Sequence, residues 1–165
     1  MNKDYVYIGK IVNTHGIKGE LRLLSDFDKK DLVFKTGVEI YIGEEKVKEV
    51  ITSYRHHKEF EMITLAGFNN INEVLKYKAK KVYVARETLQ IKEGDYLLQD
   101  LIDLEVYENE EKLGKVKEIV YNSLNPLIYI EGNKNFYLPI NNEYIKKVDL
   151  DNKRINVENA KGLIL

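Results

Sequence analysis

Short strands separated by turn residues limit what this chain can fold into more than any other feature does. Within the first 85 residues, segments 5–14, 20–25, 38–42, 46–54, 59–65 and 81–85 are rich in β-branched and aromatic residues and end at Gly, Asn or charged turns. Val38, Ile40 and Ile42 alternate with Glu39 and Tyr41, the pattern of a strand with one wet face. Strands this short expose unpaired edges in an open antiparallel sheet, and closure removes those edges, so a small closed barrel is expected. One helix-like piece at 72–78 interrupts them. Asn70 or Asn72 can cap it, Ile71, Val74 and Leu75 share a face, and Lys76, Lys78, Lys80 and Lys81 follow.

Between residues 86 and 99 no period is sustained, which is the mark of a connector. Strand signals resume at 104–108, 113–121, 126–131, 135–139 and 154–158, with 109–112 and 132–134 as hairpin turns. The expectation is an all-β protein of two small β-barrels joined by a short linker: 1–86 the first barrel, 87–98 the linker and 99–165 the second. The halves share no residue-level repeat, which speaks against duplication.

Composition narrows the class. At 165 residues with 44% apolar content the chain can build packed cores. No run approaches the roughly 18 apolar residues needed to span a bilayer, and Met1-Asn2-Lys3-Asp4 leads straight into a strand, so a soluble, cytoplasmic protein with no membrane partner is expected. Cysteine is absent, which removes disulfides, thiolate nucleophiles and cysteine-based zinc sites. The net charge of −1 hides an asymmetry: residues 1–85 hold 15 Lys and Arg against 12 Asp and Glu, and residues 86–165 hold 11 against 15. The front half suits phosphate and the rear half suits a basic protein.

No catalytic set emerges from the residues. Ser25, Ser53 and Ser123 lie in no nucleophile turn, and no glycine-rich phosphate loop occurs. Asp26 and Asp28 follow a strand, where capping of local backbone is their usual work. The histidines are His15, His56 and His57; neighbours on a strand face opposite ways, so the adjacent pair cannot easily converge on a metal. Residues 54–58, Tyr-Arg-His-His-Lys, read as an exposed hairpin tip, favoured over a phosphate patch. Tyr7, Tyr41, Tyr83, Tyr107, Tyr129 and Tyr137 fit half-buried strand positions better than base-stacking platforms. Tyr96 differs, standing in the connector where an exposed aromatic marks an interface. No cofactor and no metal are expected.

One loop is more specific. Residues 7–23 run strand, loop, strand, and the loop reads Thr14-His15-Gly16-Ile17-Lys18-Gly19-Glu20 before a strand carrying Arg22. Gly16 and Gly19 turn the chain sharply and leave Lys18 at the tip. This wording resembles the opening of the bacterial RimM family. The rear half is similar to the PRC-barrel domain that follows in that family, through Asp100-Leu101-Ile102, Val106, Leu113-Gly114-Lys115-Val116, Tyr137-Leu138-Pro139-Ile140 and Val148-Asp149.

The resemblance implies a ribosome maturation factor, non-enzymatic, that binds the head of the immature small ribosomal subunit and assists its assembly and rRNA processing. Its implied partners are the small-subunit precursor, small-subunit rRNA and small-subunit ribosomal protein nineteen, and the chain is expected to be a monomer. His15, Gly16, Lys18, Gly19, Arg22, Tyr96 and Asp100 are the candidate contacts. Two positions depart from the family's pattern: only Tyr96 remains of a tyrosine pair linked to ribosome binding, and Asp103 stands where glycine is usual. The rival from another class is a flavin-linked enzyme, because related six-stranded barrels host flavin reductases, and a yellow protein would favour it. A generic RNA-binding module is a third reading.

Overall fold

The computed structural model describes residues 4–92, 94–121 and 125–164, so Ser123 and part of the connector lie outside the described residues. Contacts divide the chain into two compact units, Met1–Ile91 and Lys92–Leu165.

The first unit is a closed barrel. Its strands are β1 (Tyr5–His15), β2 (Glu20–Leu24), β3 (Glu39–Ile42), β4 (Val47–His57), β5 (Phe60–Leu65) and β6 (Lys81–Ala85), with two single-turn helices, α1 (Lys30–Val33) and α2 (Ile71–Val74). The order around the wall is β1-β2-β5-β4-β3-β6. Closure depends on β1, which pairs with β2 on one side and β6 on the other and shifts register against each at a bulge. Ile8, Leu21, Leu23, Ile40, Ile51 and Ile63 fill the interior with 1% exposure or less. The strand expected to keep one wet face does so only at Glu39, because Tyr41 is buried edge-on against Tyr5 with ring centroids 5.0 Å apart.

The helix-like piece is one turn of α-helix, capped by Asn70, whose side chain accepts from the Glu73 N–H, and it continues as a 3-10 turn at Leu75–Tyr77. The segment read as a hairpin tip is mostly strand. β4 runs on to His57, and the turn is Lys58-Glu59, with Lys58 in the left-handed region.

The second unit is a six-stranded sheet around one core. Its strands are β7 (Glu105–Glu108), β8 (Glu111–Val120), β9 (Leu127–Glu131), β10 (Phe136–Pro139), β11 (Ile145–Asp149) and β12 (Arg154–Val157), ordered β10-β9-β8-β7-β12-β11. All pairs are antiparallel except β12 with β7. Val106, Val116, Ile128, Ile130, Leu138 and Ile155 are wholly buried on its inner face. The turn expected at 109–112 is shorter: Asn109 and Glu110, both at positive φ, join β7 to β8 in the geometry that suits a tight hairpin. Gly114 is required by packing, since a Cβ there would run into the Glu131 carbonyl.

β11 is the strand missing from the sequence reading. A bulge between Ile145 and Lys147 leaves Lys146 and Lys147 both exposed, which erases the alternation that would reveal it. Asp103, where a glycine was expected, adopts φ 69° and donates its N–H to the Val116 carbonyl at 2.9 Å. Asp is among the few residues that tolerate that conformation.

Candidate functional site

The loop between β1 and β2 is held by backbone rather than by side chains. Gly16 and Gly19 sit at φ 74° and 88°, conformations that other residues adopt at a cost. Gly19 is also closely packed: a Cβ there would stand 2.9 Å from the Asn70 carbonyl oxygen. The Ile71 N–H donates to the Ile17 carbonyl at 2.9 Å, fastening the loop to the start of α2. Lys18 is exposed, and the Ile17 side chain beside it is 81% exposed, so the tip offers a cation next to an apolar anchor. Only a backbone fixed at both ends could present that pair in a constant position.

Arg22 is placed differently from Lys18. Its Nη2 donates to His15 Nδ1 at 2.6 Å, its guanidinium lies 5.4 Å from the Phe60 ring centroid, and its Nε is buried without a hydrogen-bond partner. A guanidinium has only donors, so His15 Nδ1 accepts and the ring proton is carried on Nε2. Lys18 therefore stands in solvent while Arg22 is held by His15 and Phe60. Next to them, Arg55 makes a bidentate ion pair with Glu20 at 2.9 and 2.8 Å, and this hydrogen bonding holds the Glu20 carboxyl below its usual range.

A second polar cluster sits on the face of β5 that carries the barrel core. Glu61 is 1% exposed. It accepts from the Tyr54 hydroxyl at 2.6 Å and contacts His56 Nδ1 at 3.0 Å and Lys30 Nζ at 3.5 Å. Burial would raise the Glu61 carboxyl, but hydrogen bonds from Tyr54 and His56 and the Lys30 charge outweigh it and hold the group below its usual range. Burial, with the carboxylate it donates to, pushes the Tyr54 phenol up to about 12. Sequence reasoning missed this cluster, since its members are scattered over residues 30 to 61 and only strand register brings them together.

Of the remaining candidates, Tyr96 is half-buried and packs with Leu98 on the core of the second unit, because Leu97 and Leu101 beside it are wholly buried. The exposed connector aromatic expected from the sequence is thus one that packs partly on the core of its unit. Asp100 accepts from the Leu97 N–H at 2.9 Å and caps the 3-10 turn Leu98–Leu101. Tyr96 and Asp100 belong to the second unit, and His15, Gly16, Lys18, Gly19 and Arg22 to the first. Among the described residues, no group of three or more His, Asp or Glu side chains is placed to hold a metal, and no helix is long and apolar enough to cross a membrane.

A closed six-stranded barrel, followed by a separate six-stranded sheet with a core of its own, defines the class: a two-domain, all-β protein. The RimM N-terminal domain matches residues 6–89 and the RimM PRC barrel domain matches residues 98–163, and the chain belongs to the RimM family. It is 36% identical over 166 residues to the ribosome maturation factor RimM of Exiguobacterium sibiricum, covering 98% of each chain. With the ribosome maturation factor RimM of Streptococcus agalactiae it shares 38% identity over 167 residues, 97% of each. Among solved structures it is similar to a Pseudomonas aeruginosa chain described as a candidate 16S ribosomal RNA processing protein RimM, at 19% identity and a TM-score of 0.44, covering 93% of this chain and 96% of that one.

Proposed function

We propose that this protein is a ribosome maturation factor that binds the head of the immature small ribosomal subunit and assists its assembly and rRNA processing. The observation that carries the reading is the extent of the similarity: both domains, in order, across 97–98% of the chain, to proteins named ribosome maturation factor RimM. It acts by binding. A factor that prefers one state of the subunit head shifts the population toward that state with no covalent step.

The contact surface is proposed to include His15, Gly16, Lys18, Gly19 and Arg22 on the first unit and Tyr96 and Asp100 on the second. The fastened β1–β2 loop supports this, because its exposed tip carries a charge suited to rRNA phosphate and an apolar side chain suited to ribosomal protein. The acidic balance of the rear half suits the basic protein partner, small-subunit ribosomal protein nineteen. The protein works in the cytoplasm as a monomer, with residues 87–98 as the linker between its domains.

Cosedimentation of the purified chain with precursor small subunits is the test. Lys18→Ala should weaken association about two- to fivefold and reduce its salt dependence, as expected of one phosphate contact. Absence of the parent chain from the particle fractions would refute the reading.

A further inference from the structure

Around the β1–β2 turn, donors face solvent while the charged acceptor is occupied. Gly16, Ile17 and Lys18 are exposed, their N–H groups donate to no acceptor among the described residues, and a Cβ on Gly16 would meet nothing within 4 Å. Glu20, the carboxylate that follows the turn, is gripped by the Arg55 guanidinium at 2.9 and 2.8 Å. His15 completes the set. It is partly exposed, and its Nε2 bonds to no group among the described residues. Nor is that nitrogen buried, since among the described residues Arg22 Nε is the one buried side-chain nitrogen or oxygen without a partner. Nε2 therefore faces solvent, and it carries the ring proton because Arg22 donates to Nδ1.

Arg22 is poorly placed if stability is its only work. A buried N–H without a partner costs folding free energy, and this guanidinium ends on an imidazole rather than on a carboxylate. What its position secures is the His15 ring, held by Nδ1 with the Nε2–H turned to solvent and polarised by a neighbouring positive charge. The donors left outside also select among anions. A guanidinium fork grips a flat carboxylate in a pair of bonds, but both forks beside the turn are engaged, Arg22 with His15 and Phe60 and Arg55 with Glu20. What remains is a lysine point charge, one imidazole N–H and exposed backbone N–H groups. Donors of this kind hold the phosphates of nucleic acids.

We propose that this turn binds a phosphate of RNA, with His15 Nε2–H and the N–H groups of Gly16–Lys18 donating to its oxygens and Lys18 supplying the charge, and that Arg22 is a positioning residue that holds the His15 ring. The proposal rests on the reading that the protein works on a ribosomal subunit, and it names rRNA phosphate as what this part of the contact surface meets. The 15N-labelled full chain is titrated with a short oligouridine and, separately, with an oligoglutamate of the same charge, while NMR follows the His15 ring and the N–H signals of residues 16–19. In the free parent the Nδ1 signal should be that of a nitrogen accepting a hydrogen bond. Oligouridine should shift the ring and turn signals together, and at least about threefold more tightly than oligoglutamate does, within the worth of one hydrogen bond. His15→Phe should lose about two- to tenfold in oligouridine affinity. Arg22→Met should move the Nδ1 signal away from its bonded value and lose about threefold or more in affinity. Its melting temperature should hold or rise, and its salt dependence should stay that of the parent, because the guanidinium touches no phosphate. If Arg22→Met melts early, Arg22→Lys, which keeps a cation and a donor, must keep both the Nδ1 signal and the affinity. Parent affinity in Arg22→Met with the Nδ1 signal moved, or a flattened salt dependence, overturns the positioning role. Turn signals indifferent to oligouridine, or equally responsive to oligoglutamate, overturn the RNA phosphate site. A parent that cosediments with precursor particles while its turn ignores oligouridine overturns this site alone. One whose turn takes oligouridine but which leaves the particles unbound overturns the proposed function and leaves the site standing.

Discussion

The two units solve the same packing problem and then display opposite charge. Each has six strands, and each draws core residues from every strand of its sheet. Yet Met1–Ile91 holds 16 Lys and Arg against 13 Asp and Glu, while Lys92–Leu165 holds 10 against 14. In the first unit, lysines stand beside tyrosine rings, as Lys46 does at Tyr83 and the exposed Lys81 at Tyr7. In the second, the corresponding pairing is Arg154 over Tyr107 at 3.9 Å, in a pocket that also holds Glu105, Glu110 and Asp149. Hydrogen bonding from Lys112 holds the Glu105 carboxyl below its usual range, as bonds from Asn152 do for Asp149, so these groups stay charged. The difference in surface charge suits the first unit to phosphate and the second to a basic protein, in line with the proposed contacts.

The largest effects should come from the cores and should stay within one unit. Leu23→Ala in the first and Leu138→Ala in the second should each cost about 2–5 kcal/mol, the usual range for emptying a buried leucine. Chemical denaturation followed by site-specific probes in each unit should show one transition moved and the other in place. Equal movement of both transitions would break the division into two units.

Next comes Glu61, the most buried carboxylate among the described residues. Folding lowers it below the ordinary value of 4.5. Its contribution is therefore complete above that value and is lost as the pH falls through the lowered one. Glu61→Gln should cost about 1–3 kcal/mol near neutrality by weakening the bonds to Tyr54 and His56. Melting curves recorded below pH 5 should show the parent approaching the variant, and a constant gap down to low pH would show that the carboxylate charge is irrelevant.

Tyr96→Ala should now cost stability as well as binding. The side chain is only partly buried against the second core, so a loss of about 1–2 kcal/mol is expected, short of the 3–5 kcal/mol for an aromatic emptied from a closed core. Tyr96→Phe should keep the packing, and if it also keeps particle affinity the hydroxyl has no part in recognition. The smallest effect is at the surface: Arg55→Ala, which breaks the exposed pair with Glu20, should change stability by less than about 1 kcal/mol.

Much of this was legible in the residues. Five of the six first-unit strands lie within two residues of the expected spans, because turn residues punctuate them; β4 runs three further, through residues that look like a tip. The specific loop was legible for the same reason, since Gly16 and Gly19 advertise the left-handed backbone they supply. Hidden features depend on register. β11 was lost to its bulge, Tyr41 looked wet until Tyr5 covered it, and the Glu61 cluster and the Tyr7–Tyr83 pair exist only once strands distant in sequence lie side by side. Tyr96 was misjudged because a connector with no period gives no sign that its neighbours Leu97 and Leu101 are core.

If this chain, as proposed, assists subunit maturation by preferring an unfinished state, its affinities for unfinished and finished subunits must differ. The labelled full-length protein should be titrated against precursor and mature small subunits in the same buffer and salt. Binding to the precursor should be at least about tenfold tighter, the preference that about 1.4 kcal/mol of differential free energy supplies. Equal affinity for the two particles would contradict it.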